Sequence, residues 1–400
     1  MMRILQVVEA TTAGVKTHVL NLVHHLDRSR FHLTVVCPPV RTAAYGDTSF
    51  VADVQEAGVR VITIPMRREL HPAHDLSAAW RLARLLRREP WDAMHLHSSK
   101  AGLIGRLAVA FSRRAVPVIY TPNAFAFQGR RGLSRRLYVA AERFLGRWTS
   151  ALVCVSAGER EVALAARLVP PARLALIENA VPPREARTAA EVAAARQALA
   201  LPADAAVVGS VGRLSAQKGH RYLIEAAPAI LARVPQAYIV LVGSGELRPS
   251  LEREARRRGV AERVLFAGYR PGAAALASAF DCLALPSLWE GCPYALLEAM
   301  SAGVPAVVTR IPGLEMIVDG ENGLVVPPRD ARALAEAIVR LLTDRPLAAR
   351  LAEAGRSLVL SRYGLARQMR QTEELYERVA ALAHPSREAS AVAAVEEAKR

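Results

Sequence analysis

The chain alternates short runs of β-branched residues with longer segments rich in Ala, Leu and Arg, and this alternation is the strongest constraint on its fold. Candidate strands occupy residues 4–8, 33–37, 59–64, 93–97, 118–121 and 152–156 of the first half. The second half repeats the pattern at 207–211, 237–242, 264–267, 282–285 and 306–309. Strands separated by helical segments form βαβ units, so the pattern predicts an α/β protein with two Rossmann-like domains in tandem.

The predicted domain boundary lies where Val181-Pro-Pro interrupts the periodicity, which gives domains over residues 1–183 and 184–361. A chain of 400 residues, 52% of them hydrophobic, can fill two such cores. The segment 362–382 is helical in pattern, with apolar positions at Met369, Leu375, Tyr376 and Val379. Residues 385–400 have no apolar face, and we expect this tail to be disordered.

Two glutamates, Glu290 and Glu298, flank a predicted strand-to-helix junction with seven residues between them. The apolar run 282–285 suits a buried strand, Pro293 fits the first position of a helix, and 294–302 continues that helix until a glycine ends it. Glu290 then lies on the turn and Glu298 on the helix, roughly 10 Å apart at about 1.5 Å of rise per residue. A sugar nucleotide has matching chemistry: one carboxylate binds sugar hydroxyls, the other binds ribose hydroxyls, and the helix N-terminus holds the diphosphate.

The run from Glu290 to Val307 resembles the E-x7-E element of retaining glycosyltransferases with the GT-B fold, specifically glycosyltransferase family 4. The resemblance implies two Rossmann-like domains with parallel sheets that face each other across a cleft, the first on the acceptor side and the second binding the nucleotide sugar. It also implies that the last helix, 362–382, crosses back onto the first domain. Donor-binding positions between the two glutamates then fall on Gly291, Cys292, Pro293, Tyr294, Ala295 and Leu296.

Arg213 and Lys218 form a basic pair between the predicted strand 207–211 and the helical segment after it. Ligands of open α/β sheets bind at this edge, where fixed cations stabilise the charge that develops on a departing diphosphate. Both residues match the Arg and Lys that have this role in the family. The alternative is that they are ordinary surface residues of a loop.

Two further strand ends suit the rim of a nucleotide site. Gly243 and Gly245 form a glycine-rich turn after strand 237–242, although an ordinary tight turn would look the same. The resemblance places Tyr269 and Arg270, after strand 264–267, beside the base through their main chain.

In the first domain, Gly14 follows the first strand and allows a close backbone approach to the donor. Relatives usually have two glycines here, and this chain has Ala13 in place of the first. We expect Lys16, together with His97 and Lys100 at the end of strand 93–97, to face the cleft on the acceptor side.

Asn123 stands where many relatives have the His of a Thr-x-His-Gly run, which contacts the transferred sugar. An amide polarises a hydroxyl or carbonyl but cannot act as a cation, so the resemblance makes Asn123 a catalytic candidate in that reduced role. The alternative is a capping Asn before a helix.

The chain contains no Asp-x-Asp pair to hold Mg²⁺ or Mn²⁺ on a diphosphate, so we expect Arg and Lys to replace the metal. No metal site is predicted: His95 and His97 have no third ligand in view, and the four cysteines are scattered and suit reduced core positions. No cofactor is expected beyond the nucleoside-diphosphate sugar, which is the donor substrate.

The formal net charge of +16 is concentrated in residues 1–190, which carry 27 basic against 14 acidic residues. The segment 129–148 has Leu133, Leu137 and Phe144 on one side and arginines mostly on the other, so it either packs within the domain or contacts an anionic membrane.

Nucleic acid is disfavoured as a partner, because aromatic residues make up only 5% of the chain and no nucleic-acid motif is present. Without a long apolar run or a signal segment, we expect a cytoplasmic protein, peripheral at the inner face of the cell membrane.

The predicted function is metal-independent transfer of a hexose-type sugar from a nucleoside-diphosphate sugar, and the resemblance implies that the transfer retains the configuration. UDP is favoured by its frequency in the family, and the expected acceptor is a lipid-linked saccharide of envelope or exopolysaccharide assembly. Two alternatives are a sugar-nucleotide epimerase of the same fold and a non-catalytic binder of sugar nucleotides or polyanions.

Overall fold

The computed structural model describes residues 1–39, 48–270 and 272–383, and the tail predicted to be disordered, 385–400, lies outside them. The first sheet has seven parallel strands in the order β3-β2-β1-β4-β5-β6-β7. These are β1 (Met2–Val8), β2 (Phe31–Cys37), β3 (Arg60–Thr63), β4 (Ala93–His97), β5 (Val118–Thr121), β6 (Ala151–Cys154) and β7 (Leu174–Leu176).

Helices cover both faces of this sheet. They are α1 (Ala13–His25), α2 (Phe50–Glu56), α3 (Pro72–Arg88), α4 (Ser99–Ser112), α5 (Gly132–Leu145) and α6 (Ala157–Ala165). One core layer joins α3, α4 and α6 to the sheet, and α1 and α2 close the opposite layer. Burial on both faces explains why β6 is a continuous apolar run.

The second domain begins with α7 (Ala189–Ala198) and has a six-stranded parallel sheet in the order β10-β9-β8-β11-β12-β13. Its strands are β8 (Ala206–Val211), β9 (Ala237–Val242), β10 (Val264–Gly268), β11 (Cys282–Leu285), β12 (Ala306–Thr309) and β13 (Leu324–Val326). Its other helices are α8 (His220–Arg233), α9 (Arg248–Arg257), α10 (Ala273–Leu276), α11 (Tyr294–Ser301), α12 (Ala331–Thr343) and α13 (Arg345–Arg362).

The last helix, α14 (Leu365–Ala383), returns to the first domain. Met369, Leu375, Tyr376 and Val379 are buried in the same core layer as α1 and α2. The Tyr376 hydroxyl lies 2.9 Å from Gln6 Nε2 and 2.8 Å from His95 Nδ1, so α14 is also tied to β1 and β4 by buried hydrogen bonds. The predicted pair of Rossmann-like domains with a helix that crosses back is therefore confirmed.

Some strands were not predicted, and the predicted bounds of some helices were wrong. The three-residue edge strands β7 and β13 were not predicted, and the helix expected over 129–148 is shorter, with a 3-10 turn at Gly146–Trp148. Pro293 is the N-cap of α11 and not its first helical residue, because its backbone is extended with ψ of 122°.

Candidate functional site

The turn between β11 and α11 carries Glu290, whose side chain is buried. Glu290 Oε1 accepts from Lys218 Nζ at 2.6 Å and from Ser287 Oγ at 2.7 Å. Ser287 is fixed in turn, because its carbonyl accepts from Thr309 Oγ1 at 2.6 Å. The structure thus brings together two predicted catalytic residues, a lysine and a glutamate that lie 72 positions apart.

The loop with Arg213 and Lys218 packs on this turn through its main chain. Gln217 O accepts from Leu288 N at 2.7 Å, and Gln217 Nε2 donates to Trp289 O at 3.0 Å. Lys218 ends a short 3-10 turn, and α8 begins two residues later. Both predicted basic residues therefore lie at the carboxyl edge of the second sheet, and Lys218 contacts Glu290.

Gly243 and Gly245 support the Arg213 loop, and this is the structural reason that the turn after β9 needs glycine. A Cβ on Gly243, where φ is 144°, would lie 2.0 Å from Gly212 O, and one on Gly245 would lie 2.5 Å from Leu214 O. Leu214 N donates to Ser244 O at 2.9 Å, so the two strand-end loops are also hydrogen-bonded. Contact of these glycines with a nucleotide remains a prediction.

The end of β10 continues the same edge. Gly268 O accepts from Gly243 N at 2.8 Å, which places Tyr269 and Arg270 beside the glycine turn. Arg270 is exposed, and its Nε donates to Ala267 O at 3.1 Å. Their predicted main-chain contact with a base is untested.

Glu298 lies on α11, one helical turn after the predicted donor-binding start of the helix. Burial raises the pKa of its carboxyl above the usual value, because the charged form is poorly solvated there. Cys292, Tyr294 and Leu296 are buried, whereas Ala295 is half-buried.

The turn at Gly291 touches the first domain. A Cβ on Gly291 would lie 2.9 Å from Val155 Cγ2 and 3.0 Å from Ala124 N, so only glycine fits without displacing the neighbouring backbone. Gly14 makes the corresponding contact from the other side, where an added Cβ would lie 3.3 Å from Tyr294 Cδ2. The predicted donor-binding residues of both domains therefore meet at one interdomain surface.

A buried polar link, not predicted, fixes this surface. His18 Nδ1 on α1 lies 3.1 Å from Asn179 Oδ1 and 3.3 Å from the Tyr294 hydroxyl. Asn179 Nδ2 donates to Cys292 O at 2.8 Å. His18 is thus connected to the turn that carries the predicted donor-binding residues. The position of His18 on α1, shortly after Gly14, was the one signal in the sequence. Its partner Asn179 lies more than 150 positions away, so the sequence does not show their contact.

Burial lowers the pKa of His18 from 6.5 to about 4, an effect that its bond to Asn179 partly offsets. His18 is therefore neutral in the folded protein, whereas the unfolded chain takes up a proton as the pH falls below 6.5. The stability that its neutral form contributes is lost between pH 6.5 and 4, and we expect His18 alone to account for about 1 kcal/mol between pH 6.5 and 5.5. Urea unfolding at the two pH values measures this loss. His18→Asn should reduce it, exposed His24→Asn should not, and equal slopes in both variants would contradict the assignment.

Asn123 lies on the first-domain side of the same contact. Its φ is 52° and that of Ala124 is 80°, so the chain turns through two left-handed residues at this point. The Asn123 Nδ2 is buried without a hydrogen-bond partner among the described residues. The capping alternative is wrong, because the next helix, α5, begins only at Gly132.

Two carboxylates at this interdomain contact, Glu159 and Glu315, were not predicted from the sequence. Glu159 accepts from Ala124 N at 2.7 Å and Val155 N at 2.8 Å, and burial raises its pKa to about 7. Glu315, from the second domain, accepts from Gly158 N at 2.5 Å at the start of α6. The pattern Ser156-x-x-Glu159 is a capping signature that could have located the first of them.

The predicted acceptor-side residues are placed differently from expectation. Lys100 does not face the cleft: it forms a buried ion pair with Asp75 at 2.7 Å, since α3 and α4 pack side by side. His97 is fully buried, with Nε2 at 2.7 Å from Gln6 Oε1. Lys16 pairs with Asp53 at 2.7 Å, which ties α1 to α2.

Neither a metal cluster nor a bilayer span was found in the described part of the chain. No three His, Cys, Asp or Glu side chains of residues 1–39, 48–270 and 272–383 are grouped to hold a metal ion. In the same ranges, no helix combines the length and apolar character needed to cross a bilayer.

Comparison with known proteins assigns both halves of the chain. Residues 13–180 match the family described as glycosyl transferase 4-like domain, and residues 205–344 match glycosyl transferases group 1. The chain is 28% identical, over 91% of its length and 93% of the relative's, to the Escherichia coli UDP-Gal:alpha-D-GlcNAc-diphosphoundecaprenol alpha-1,3-galactosyltransferase. It is 39% identical to the lipopolysaccharide core biosynthesis glycosyltransferase LpsE of Rhizobium meliloti, over 43% of this chain and 50% of that protein.

Solved structures agree on the fold. The structure of Anabaena Alr3699/HepE in complex with UDP and glucose has a TM-score of 0.79 at 21% identity and covers 94% of this chain and 100% of that one. A sucrose-phosphate synthase from Thermosynechococcus elongatus has the same TM-score and identity over 96% of this chain and 100% of that one. Since the two family matches together span most of both domains, the chain belongs to the glycosyltransferases, with the GT-B fold and of the family 4 type.

Proposed function

We propose that this glycosyltransferase transfers a hexose-type sugar from UDP to a saccharide, most simply a lipid-linked one, with retention of configuration and without a metal ion. The observation that carries the proposal is the buried pair of Lys218 and Glu290 on adjoining loops at the carboxyl edge of the second sheet. The pair supports a site in which the cation that binds the diphosphate adjoins the carboxylate that accepts from sugar hydroxyls. The E. coli relative, named for a UDP-Gal donor and a diphosphoundecaprenol acceptor, supports the choice of substrates.

In the proposed reaction, the bond from the anomeric carbon to the β-phosphate oxygen breaks while a bond to the acceptor oxygen forms on the same face. The acceptor proton passes to the departing phosphate. Arg213 and Lys218 stabilise the negative charge that grows on this phosphate, and this stabilisation is larger in the transition state than in the intact donor. Glu298 holds the ribose and Glu290 holds the sugar, with Asn123 opposite it as a neutral donor of hydrogen bonds.

Slow donor hydrolysis in the absence of acceptor tests retention directly. NMR of the sugar released from UDP-glucose and UDP-galactose should show first the anomer with the donor's configuration. Release of the opposite anomer would refute retention, a C2 epimer would support the epimerase alternative, and the absence of any released sugar would favour a binder. Thermal shift with UDP, GDP and their sugars selects the base, since a ligand at a hundredfold excess over Kd stabilises the fold by roughly 2.7 kcal/mol.

Metal independence gives a separate prediction. Because Arg213 and Lys218 supply the positive charge at the diphosphate, we expect the initial rate in excess EDTA to equal that in buffer. Rates are compared on enzyme dialysed against EDTA, with and without added Mg²⁺ or Mn²⁺. A loss of activity that Mg²⁺ restores would contradict the proposal.

We also propose that the enzyme is cytoplasmic and binds the inner face of an anionic membrane through α5. The helix buries Val139 and Leu145, but Leu133 is 71% exposed, Leu137 61% and Phe144 49%. Domain packing thus covers only part of the apolar side. Exposed arginines flank this stripe (Arg130, Arg131, Arg135, Arg136), and each basic residue near an anionic surface contributes about 1 kcal/mol.

Changing these four arginines to Gln is therefore expected to release the protein from anionic vesicles. Co-sedimentation with anionic and neutral vesicles at low and high salt measures the effect, since charges are screened over roughly 8 Å at physiological salt. Equal binding to neutral vesicles, or none to anionic vesicles at low salt, would refute the membrane contact and favour a soluble acceptor.

A further inference from the structure

A cavity lies in the first domain, at the edge of the sheet opposite to the candidate site. Its volume is about 460 Å³, within the range of small-ligand pockets. It is lined by Val116 before β5, Thr149 to Ala151 at the start of β6, and Ala172 and Arg173 before β7. The end of α14 and the 3-10 turn after α5 complete its wall. The cavity therefore opens at the amino ends of the strands, whereas Asn123 follows the carboxyl end of β5.

The polar lining of the cavity is strongly basic. Arg147, Arg173 and Arg378 line it, and no Asp or Glu does. All three arginines are exposed, and none of them forms an ion pair with another described residue. Arg173 Nη1 donates to Thr149 O at 3.2 Å, and Arg147 stacks on Phe144 with its guanidinium carbon 4.8 Å from the ring centre. Guanidinium groups that line one cavity without a carboxylate partner fit a phosphate, to which arginine donates in a bidentate manner.

The remaining lining is apolar and continues onto the exposed stripe of α5. Val109, Trp148 and Leu382 line the cavity, and Leu382 is 79% exposed. The Trp148 ring lies 5.4 Å from that of Phe144, so the cavity adjoins the end of the Leu133, Leu137 and Phe144 stripe. A free phosphate would leave these apolar surfaces in water. A ligand with an anionic head and a hydrocarbon part would cover them.

We propose that this cavity binds the phosphate headgroup of an anionic membrane lipid, at a site separate from the donor cleft. The inference rests on the proposed membrane contact of α5 and adds a defined headgroup site to it. The phosphate lies among Arg147, Arg173 and Arg378, and the adjoining acyl carbons pack on Trp148 and Leu382. The arginines thus give the contact a preference for lipids with an accessible phosphate, beyond the general attraction of a basic surface.

Short-chain dihexanoyl phosphatidic acid, used below its micelle concentration, tests the site without a bilayer. Binding should change the fluorescence of Trp148, which is one of four tryptophans, so the signal should disappear in Trp148→Phe. The triple variant Arg147→Gln, Arg173→Gln, Arg378→Gln should bind at least tenfold more weakly. Its matched control, Arg253→Gln, Arg256→Gln, Arg257→Gln on exposed α9 positions, should bind as the unmodified enzyme does. Donor hydrolysis should be unchanged in both, which shows that both are folded.

Two comparisons distinguish a lipid headgroup site from a site for free phosphate and from membrane contact through α5 alone. Inorganic phosphate should bind at least tenfold more weakly than the short-chain lipid, and equal affinities would overturn the lipid assignment. With phosphatidylcholine vesicles containing phosphatidic acid, the pocket variant should lose binding as the α5 variant does. If only the α5 variant loses binding, the membrane contact stands and the headgroup site is refuted. If the short-chain lipid binds in solution but no vesicle does, the headgroup site stands and the membrane contact of α5 fails.

Discussion

Replacing Lys218 by alanine is expected to lower kcat by roughly 30- to 1000-fold, which corresponds to about 2–4 kcal/mol of transition-state stabilisation. The lysine neutralises the departing diphosphate in the proposed reaction, and it is also the cation that pairs with buried Glu290 at 2.6 Å. The donor KM should rise less than kcat falls, because the intact donor carries its charge farther from the breaking bond. Steady-state kinetics over a range of donor concentrations measure both terms.

Arg213→Ala should give a loss in kcat of the same order, because the proposed reaction uses its charge on the same phosphate. The backbone of its loop is hydrogen-bonded to the Gly243 turn, so we expect the loop to keep its conformation. Arg221→Ala, an exposed residue of α8 in the same domain, is the matched control and should leave both constants unchanged. An unchanged kcat in either Lys218→Ala or Arg213→Ala would remove that residue from the mechanism.

Glu298→Gln should weaken binding of UDP itself, on the order of 1.5–3 kcal/mol, because a hydrogen bond to a charged acceptor is lost at the ribose. Glu290→Gln should spare UDP and weaken only the UDP-sugar or its transfer. The Gln amide oxygen can still accept from Lys218 and Ser287, so the loop should keep its conformation. Isothermal calorimetry with UDP and with UDP-glucose measures the difference.

Glu336→Gln, an exposed change of equal charge on α12, controls for the altered field of the domain. Equal losses for bare UDP in the Glu290 and Glu298 variants would show that the two carboxylates have been assigned wrongly. Retained binding of both ligands in the Glu298 variant would exclude the ribose contact.

The sheets and the strand-to-helix junction that carries Glu290 were predictable because their signals are local. The strands β4, β5, β9, β11 and β12 match their predicted bounds, since buried parallel strands are short apolar runs bounded by turns. Glu290 and its helix follow from a junction of about twenty residues. The edge strands β7 and β13 were not predicted, because a run of three residues is too short to show an apolar period.

The first-domain site was predicted poorly because its geometry depends on contacts between distant segments. Nothing near Lys100 in the sequence shows that Asp75 will pair with it from the neighbouring helix. Likewise, the roles of His18 and Glu315 appear only once the domains meet at Cys292 and Gly158. The sequence showed the apolar periodicity of α5, but periodicity does not show whether the rest of the domain or a membrane covers the apolar side of the helix.

The return of α14 to the first domain has a consequence for synthesis on the ribosome. Residues 365–383 complete a core layer whose other members lie before residue 178. At about 5–20 residues per second, roughly ten to forty seconds pass between translation of these two parts. During that time the growing chain exposes the apolar side chains of α1 and the first sheet that α14 covers in the folded protein. The first domain is therefore translated first but completes its fold last. We expect the nascent chain to bind chaperones that hold exposed apolar surface.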